Sequence, residues 1–386
     1  MSTSTSNKGR AENTGGITNS DEKLLKEKGY YFIRQLGEGS YAKVYLANQI
    51  RHDKNDLTLA CKVINTKRAP KEFVAKFLPR ELDILGKVLH PNIVHIHAIY
   101  SRSSKYLIFM RYAEVGDLLD YVLEKGELGE NISKVWSYQL ALAIQYLHTM
   151  QVAHRDIKCE NILITNNFNV KLADFGFARF VVDHSGKPVT SNTYCGSLAY
   201  ASPEVLKGKP YYPKCCDVWS LGIVIYIMLN KSMPFNDGNI KVLYKQQVQR
   251  QWKFRNRILP TLSGSAVQIV NKLLEPDFRK RLTIGQVVKE PWFDDHGLEM
   301  TEEEREALEA ATKAQPPSGK YTFEEKEKEL VLMSKDREPY QSLTKTKESG
   351  HASSAATSSG RESTPRNMIQ RQTEDETLRT MDDRKY

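Results

Sequence analysis

The 386-residue chain is 40% hydrophobic and 27% charged, which supplies a sizeable core and excludes a membrane-embedded protein. Its formal charge of +9 is unevenly spread. Tyr30 to Phe293 carry 36 basic against 22 acidic side chains, whereas residues 294–386 carry 15 against 21, so a basic body bears an acidic tail.

The first 20 residues are rich in Ser, Thr, Asn and Gly with scarcely a large apolar side chain to offset their ordering entropy, and residues 1–29 are assigned to a disordered tail. YYFIRQLGEGSYAKVYLANQI then reads as two strands around a glycine-containing turn, and LTLACKVI as a third. Apolar residues at Phe73, Phe77, Leu85 and Leu89 predict a half-buried helix, with a kink or restart at Pro79, which has no amide hydrogen. IVHIHAIY and KYLIFMRY complete a five-stranded antiparallel sheet plus one helix. Beyond Gly116 the pattern turns helical. Ser133 to Met150 is strongly apolar, and Lys214 to Leu229 is apolar nearly all round, as a core helix is. Thr301 and Glu304 form a capping-box pattern ahead of a charged helix over Glu302 to Lys313, and the low-complexity stretch past Gly350 is expected to be disordered. The class is α+β, a small β-rich lobe followed by a larger helical lobe.

Gly37-Glu38-Gly39-Ser40-Tyr41-Ala42-Lys43-Val44 lies between two strands, where its glycines let backbone amides approach phosphates. With Ala42 in place of a third glycine, the segment alone reads more readily as an ordinary turn. Lys62 sits among apolar neighbours, so it faces inward only toward an anion, and Glu81 on the predicted helix can supply one. What decides the matter is His154-Arg155-Asp156-Ile157-Lys158-Cys159-Glu160-Asn161, followed 13 residues later by Asp174-Phe175-Gly176. In this order, behind a glycine loop and a strand lysine, the set resembles the eukaryotic protein kinases.

The resemblance spans 30–293 and implies a bilobal fold with an N-lobe (30–110), a hinge (111–116) and a C-lobe (117–293), ahead of an acidic tail (294–386). It further implies that Leu36 and the Gly37 to Val44 loop cover ATP, that Lys62 holds the α and β phosphates, and that Glu81 orients Lys62. Asn161 and Asp174 would hold two Mg2+ ions, with Mn2+ able to substitute. Asp156 would accept the proton of the attacking hydroxyl, and Lys158 would neutralise charge on the phosphoryl group. Val44, Ala60 and Leu163 would enclose adenine beside a gatekeeper at Met110 and a hinge at Arg111 to Ala113, with Asp117 at the ribose.

Asp-Ile-Lys-x-Glu-Asn resembles the serine/threonine type, with Ser197 and Glu160 facing substrate. Glu204, in Ala-Ser-Pro-Glu rather than Ala-Pro-Glu, would pair with Arg281 for architecture. GEGSYAKV, KFLPREL, HRDIKCEN, ADFGFAR and TYCGSLAYASPEVL narrow the resemblance to the testis-specific serine/threonine kinases of the calmodulin-dependent kinase group, implying a role in sperm development. Thr193 matches the activation-loop phosphosite, written by an upstream kinase or by autophosphorylation, with Arg155 unpaired until a phosphate arrives. Asp117 and Glu160 could meet a basic residue upstream of the acceptor.

The alternative reading is a pseudokinase or scaffold, which the presence of Lys62, Glu81, Asp156, Asn161 and Asp174 disfavours. No nucleic-acid module and no calmodulin-type helix is visible. Cys61, Cys159, Cys195, Cys215 and Cys216 form no CxxC pair, the start lacks an apolar h-region, and the longest apolar run, Leu221 to Leu229, is too short to span a bilayer. A monomer in the cytoplasm, and also in the nucleus or sperm structures, is the expectation.

Overall fold

The computed structural model describes residues 16–52, 55–183, 185–294, 301–313 and 331–335; the expected disorder of the first 15 residues and of the stretch past Gly350 lies outside them. Helix α1 (Asn19–Lys26) precedes strands β1 (Tyr30–Glu38), β2 (Ala42–Gln49) and β3 (Leu57–Asn65). Helix α2 (Leu78–Leu85), β4 (Ile96–Arg102) and β5 (Lys105–Arg111) follow. The five strands form an antiparallel sheet in the order β1-β2-β3-β5-β4. Because side chains alternate along a strand, Leu59, Cys61 and Val63 point to one core cluster, while Ile64 joins the main core on the face that Lys62 shares.

Helix α1 replaces the expected disorder over Asn19–Lys26, within the segment assigned to a disordered tail. Thr18 Oγ1 accepts from the Asp21 amide (3.3 Å) and Asp21 Oδ2 accepts from the Thr18 amide (2.9 Å), a reciprocal cap. The same buried carboxylate takes a bond from Lys105 Nζ (2.7 Å) and pairs with Arg102, while Leu25 enters the sheet's core cluster. Burial would raise the Asp21 pKa, but Lys105 and Thr18 outweigh it and hold the carboxyl below its usual range. Composition counted too few apolar residues, yet one leucine and one doubly paired aspartate suffice to dock a short helix.

Pro79 has no N–H to give the Ala75 carbonyl, and its ring would crowd that group. The chain therefore widens into a π-helical turn (Phe73–Phe77) and restarts as α2 with Pro79 in the first turn, where no donor is needed.

The helical lobe runs through β6 (Gly116–Asp117), α3 (Leu118–Lys125), α4 (Glu130–Thr149), β7 (Val152–Ala153), β8 (Ile162–Ile164), β9 (Val170–Leu172) and β10 (Arg179–Phe180). Helices α5 (Pro203–Leu206), α6 (Pro213–Asn230), α7 (Ile240–Val248), α8 (Gly264–Leu273), α9 (Ile284–Val287) and α10 (Pro291–Asp294) complete it. Helix α6 is buried over most of its length. Gly222 lets α8 approach it: a Cβ there would lie 2.8 Å from Leu273 Cβ.

In the tail, Thr301 and Glu304 make the reciprocal cap (2.8 and 3.3 Å) of α11 (Glu302–Lys313), which buries Ala307 and Ala311 and packs on α4. The five expected N-terminal strands form as one sheet, and a further strand from the tail, β11 (Val331–Lys335), pairs antiparallel with β4 at its edge.

Two buried histidines set a pH dependence. Burial, aided by Lys171, pushes His90 down to about 3, and burial also lowers His154. The His90 ring therefore stays neutral in the folded protein at and above about pH 5, whereas unfolded histidine titrates near 6.5. Acidification therefore protonates the unfolded chain preferentially, and stability falls as pH drops. Between about pH 7.5 and about pH 5.5, His90 alone should cost about 1.4 kcal/mol. Urea unfolding at the two pH values measures this, and equal stabilities would contradict it.

Candidate active site

Lys62 comes from the middle of β3 and reaches across to two carboxylates: Glu81 Oε1 at 3.0 Å on α2 and Asp174 Oδ1 at 2.9 Å. Burial alone would lower the lysine pKa, but these two charges outweigh it and hold it above its ordinary value. Burial raises the Glu81 pKa against the pull of Lys62. Asp174, whose carboxylate is 49% exposed, is pushed down to about 2, chiefly by Lys62. It sits at φ 58°, and the Gly176 amide donates to its Oδ1 (3.3 Å).

The loop between β7 and β8 carries the second cluster. Asp156 Oδ1 accepts from the Ser197 amide (3.1 Å) and hydroxyl (3.3 Å), while Oδ2 accepts from Asn161 Nδ2 (2.9 Å) and faces Lys158 Nζ at 3.3 Å. Lys158 also donates to Ser197 Oγ (3.0 Å), and Glu160 accepts from the Tyr200 hydroxyl (3.3 Å). The Lys158 pKa is raised, because Asp156 and Glu160 outweigh the cost of burial.

Asp217, at the start of α6, holds this loop. It accepts from the amides of His154 (2.9 Å) and Arg155 (2.8 Å) and contacts His148 Nε2 (2.9 Å). Those bonds sustain the left-handed φ of 68° at Arg155. In the sequence Asp217 is simply the acid in Asp217-Val218-Trp219-Ser220 that opens the buried helix, and its hold on this loop, with His148, becomes visible only in three dimensions. Gly196 was likewise passed over, although its φ is 86° and a Cβ would lie 2.6 Å from the Arg155 carbonyl. The glycine in Cys-Gly-Ser was the available signal.

At the strand turn, the Gly39 amide donates to the Ala42 carbonyl (2.8 Å), and Lys43 pairs with Glu38 at 3.2 Å. A Cβ on Gly37 would meet nothing within 4 Å, so the loop's own packing does not require glycine there. Leu36, Ser40, Tyr41 and Val44 lie on or beside this turn. Ala60 is registered against Met110, Val44 against Lys62, and Asp117 against Leu163, which places the proposed adenine-pocket residues on adjoining strands. Asp117 caps α3 by accepting from the Asp120 amide (3.0 Å), and burial raises its pKa. Arg111 is exposed and Ala113 buried at the hinge.

The described residues contain no cluster of three or more His, Cys, Asp or Glu able to hold a metal by themselves. Asn161 spends Nδ2 on Asp156 and so leaves its amide oxygen as a hard donor, while its backbone carbonyl accepts from the amide of Ala173 (2.8 Å), the residue before the ionised Asp174. Two oxygens of this kind suit a small divalent cation whose shell is completed by phosphates and water.

Arg155 is not unpaired, as was expected. Its Nε donates to the Phe177 carbonyl (2.7 Å) and a terminal nitrogen to Ser191 Oγ (3.0 Å); Ser191 is brought there by its backbone pairing with Tyr211. Thr193 instead accepts at its carbonyl from the Tyr211 hydroxyl (2.9 Å). Burial lowers the pKa values of Arg80 and Arg179, and the charge of Arg155 lowers both further. Glu204 and Arg281 form a bidentate pair at 2.6 and 3.0 Å, with Arg281 stacked 5.0 Å over Trp219.

The protein kinase domain family matches residues 30–293. Testis-specific serine/threonine-protein kinase 1 of Mus musculus is 43% identical over 274 residues, 70% of this chain and 74% of that protein. Testis-specific serine/threonine-protein kinase 3 of Homo sapiens is 42% identical over 274 residues, 70% of this chain and 98% of that one. A carbon catabolite-derepressing protein kinase of Secale cereale is 37% identical over 270 residues, 69% and 51% respectively. With a lysine bracketed by two carboxylates and an aspartate bracketed by an amide and a second lysine, the chain belongs to the protein kinases, within them to the testis-specific serine/threonine kinases, and is a serine/threonine protein kinase.

Proposed function

We propose that this enzyme transfers the γ-phosphoryl group of ATP to serine or threonine in proteins that carry basic residues upstream of the acceptor. The observation that carries the residue assignment is the bracketing of Lys62 by Glu81 and Asp174 at 3.0 and 2.9 Å. Phosphoryl transfer needs positioning and charge neutralisation more than covalent chemistry from the protein. Glu81 fixes the Lys62 ammonium for the α and β phosphates. Two magnesium ions, or manganese, would supply positive charge to the phosphate oxygens when held by Asp174 and Asn161. Asp156, kept in place by the Ser197 amide and Asn161, accepts the proton of the incoming hydroxyl, and Lys158 stabilises charge at the transferred group.

Asp117 and Glu160 repel one another electrostatically, which favours a cation between them and supports the basic-substrate reading. Thr193 is proposed as the activating phosphosite, modified by an upstream kinase or by autophosphorylation. Arg155, with Arg80 and Arg179 near it, would receive the phosphate by exchanging its Ser191 bond. The described cysteines are free, which fits a reducing cytoplasm, with nuclear or sperm structures as further sites. The relatives' names support action in sperm development, and we take the enzyme to act as a monomer.

The test is phosphate incorporation from ATP and magnesium into basic and neutral serine peptides. Lys62→Met and Asp174→Asn should each lose on the order of 100-fold or more; incorporation retained in both would overturn the assignment. Equal use of both peptides would remove the basic preference. For Thr193→Ala, several-fold lower activity is expected, matched by phosphatase treatment of the wild type, and no change in either would discard this site.

A further inference from the structure

Four aromatic rings run alongside the polar centre. Tyr41, at the tip of the glycine loop, lies 4.5 Å from Phe73. Phe73 stacks on Phe77 at 6.4 Å and 10°, and Phe77 meets Phe177 edge-on at 6.1 Å and 84°. Such centroid spacings and offsets are those at which aromatic pairs attract. We propose that these rings are one positioning unit, which ties the ATP-covering loop through the π-helical turn to the start of the activation segment.

Each ring occupies a strategic place. Tyr41 directly precedes Ala42, the residue standing where a third glycine would loosen the loop. Phe73 and Phe77 bound the π-helical turn, a local widening of the kind that recurs at functional sites. Phe77 is four residues before Glu81, so its seating bears on the rotation that points Glu81 at Lys62. Phe177 follows Gly176, whose Cβ position lies 3.8 Å from Glu81 Oε2, and its carbonyl is the acceptor for Arg155 Nε. All four rings are only half-buried, so filling the core does not by itself account for them. The polar line Lys62–Glu81–Asp174 starts on β3 and the aromatic line at the β1–β2 turn, and the two converge on the π-helical turn with α2 and on the start of the activation segment. A shift at Phe177 moves Phe77 and Phe73, and the seat of Tyr41 with them.

The consequence is that a substitution at Phe177 should change ATP binding in the loop two rings away. In steady-state assays on the full chain, Tyr41→Ala and Phe177→Ala should each raise KM for ATP about tenfold. The double variant should also be about tenfold above wild type, rather than the roughly hundredfold that independent sites would give. Phe77→Leu, which keeps apolar volume but removes the central ring, should raise KM for ATP similarly and also lower kcat through Glu81. Phe177→Tyr keeps its ring and should behave as wild type, with thermal unfolding confirming that every variant is folded. Multiplicative effects in the double variant, or an unchanged KM for ATP in both Phe177→Ala and Phe77→Leu, would overturn the proposal.

Discussion

Asp156→Asn is expected to lower kcat by about 10²- to 10⁴-fold while leaving KM for ATP nearly unchanged, the size of effect a general base contributes. The carboxylate has its two oxygens divided: one takes the Ser197 amide and hydroxyl, the other faces Asn161 Nδ2 and Lys158 Nζ. Every protein partner is a donor, so an amide must turn its own NH2 toward one of them. The substitution thus removes the proton acceptor and also leaves two donors opposed. ATP binding should be spared, since Lys62, Glu81 and Asp174 form a separate charged cluster. Initial rates against peptide and ATP would measure both constants, and a kcat within tenfold of wild type would sink the assignment of Asp156 as base.

The largest effect on stability is expected from Arg281→Ala. The Arg281 side chain is 0% exposed and that of Glu204 only 10%. Truncating the arginine strands a buried carboxylate, a change that typically costs about 3–5 kcal/mol. It also removes the donors to the Glu275 and Cys215 carbonyls and the stacking on Trp219. In a domain of this size the loss corresponds to a Tm lower by on the order of 10 °C. Glu204→Leu combined with Arg281→Met should be milder, because no charge is left unpaired. Thermal unfolding of the three proteins decides it, and a Tm within about 2 °C of wild type for Arg281→Ala would refute the account.

The chemistry was legible because phosphoryl transfer fixes residue types at fixed spacings. Lys62 and its partner Glu81 were placed by the motif set rather than by their strand and helix alone, and Pro79 announced a restart through its missing N–H. The misses share a different cause, namely partners supplied from far along the chain. Arg155 is satisfied by Ser191 only because Ser191 pairs with Tyr211, a long-range bridge that no local pattern encodes. Helix α1 holds through Arg102 and Lys105, more than 80 positions away. Strand β11 adds to β4 through backbone pairing, for which its side-chain pattern gives little warning. The aromatic line joins residues that belong to three separate motifs, so each motif taken singly conceals it.

The docking of helix α1 bears on how the enzyme should be handled. A fragment cut at Tyr30, where the family match begins, would lose Asp21 from Lys105 and Arg102 and empty the seat of Leu25. The back of the sheet would then present a greasy cleft rimmed by two uncompensated cations. Such a surface favours self-association and adsorption of stray anions. Poor yield or salt-sensitive clumping of a minimal catalytic fragment would reflect that missing cover rather than an inherently unstable kinase, and the remedy is to begin the polypeptide at or before Gly16.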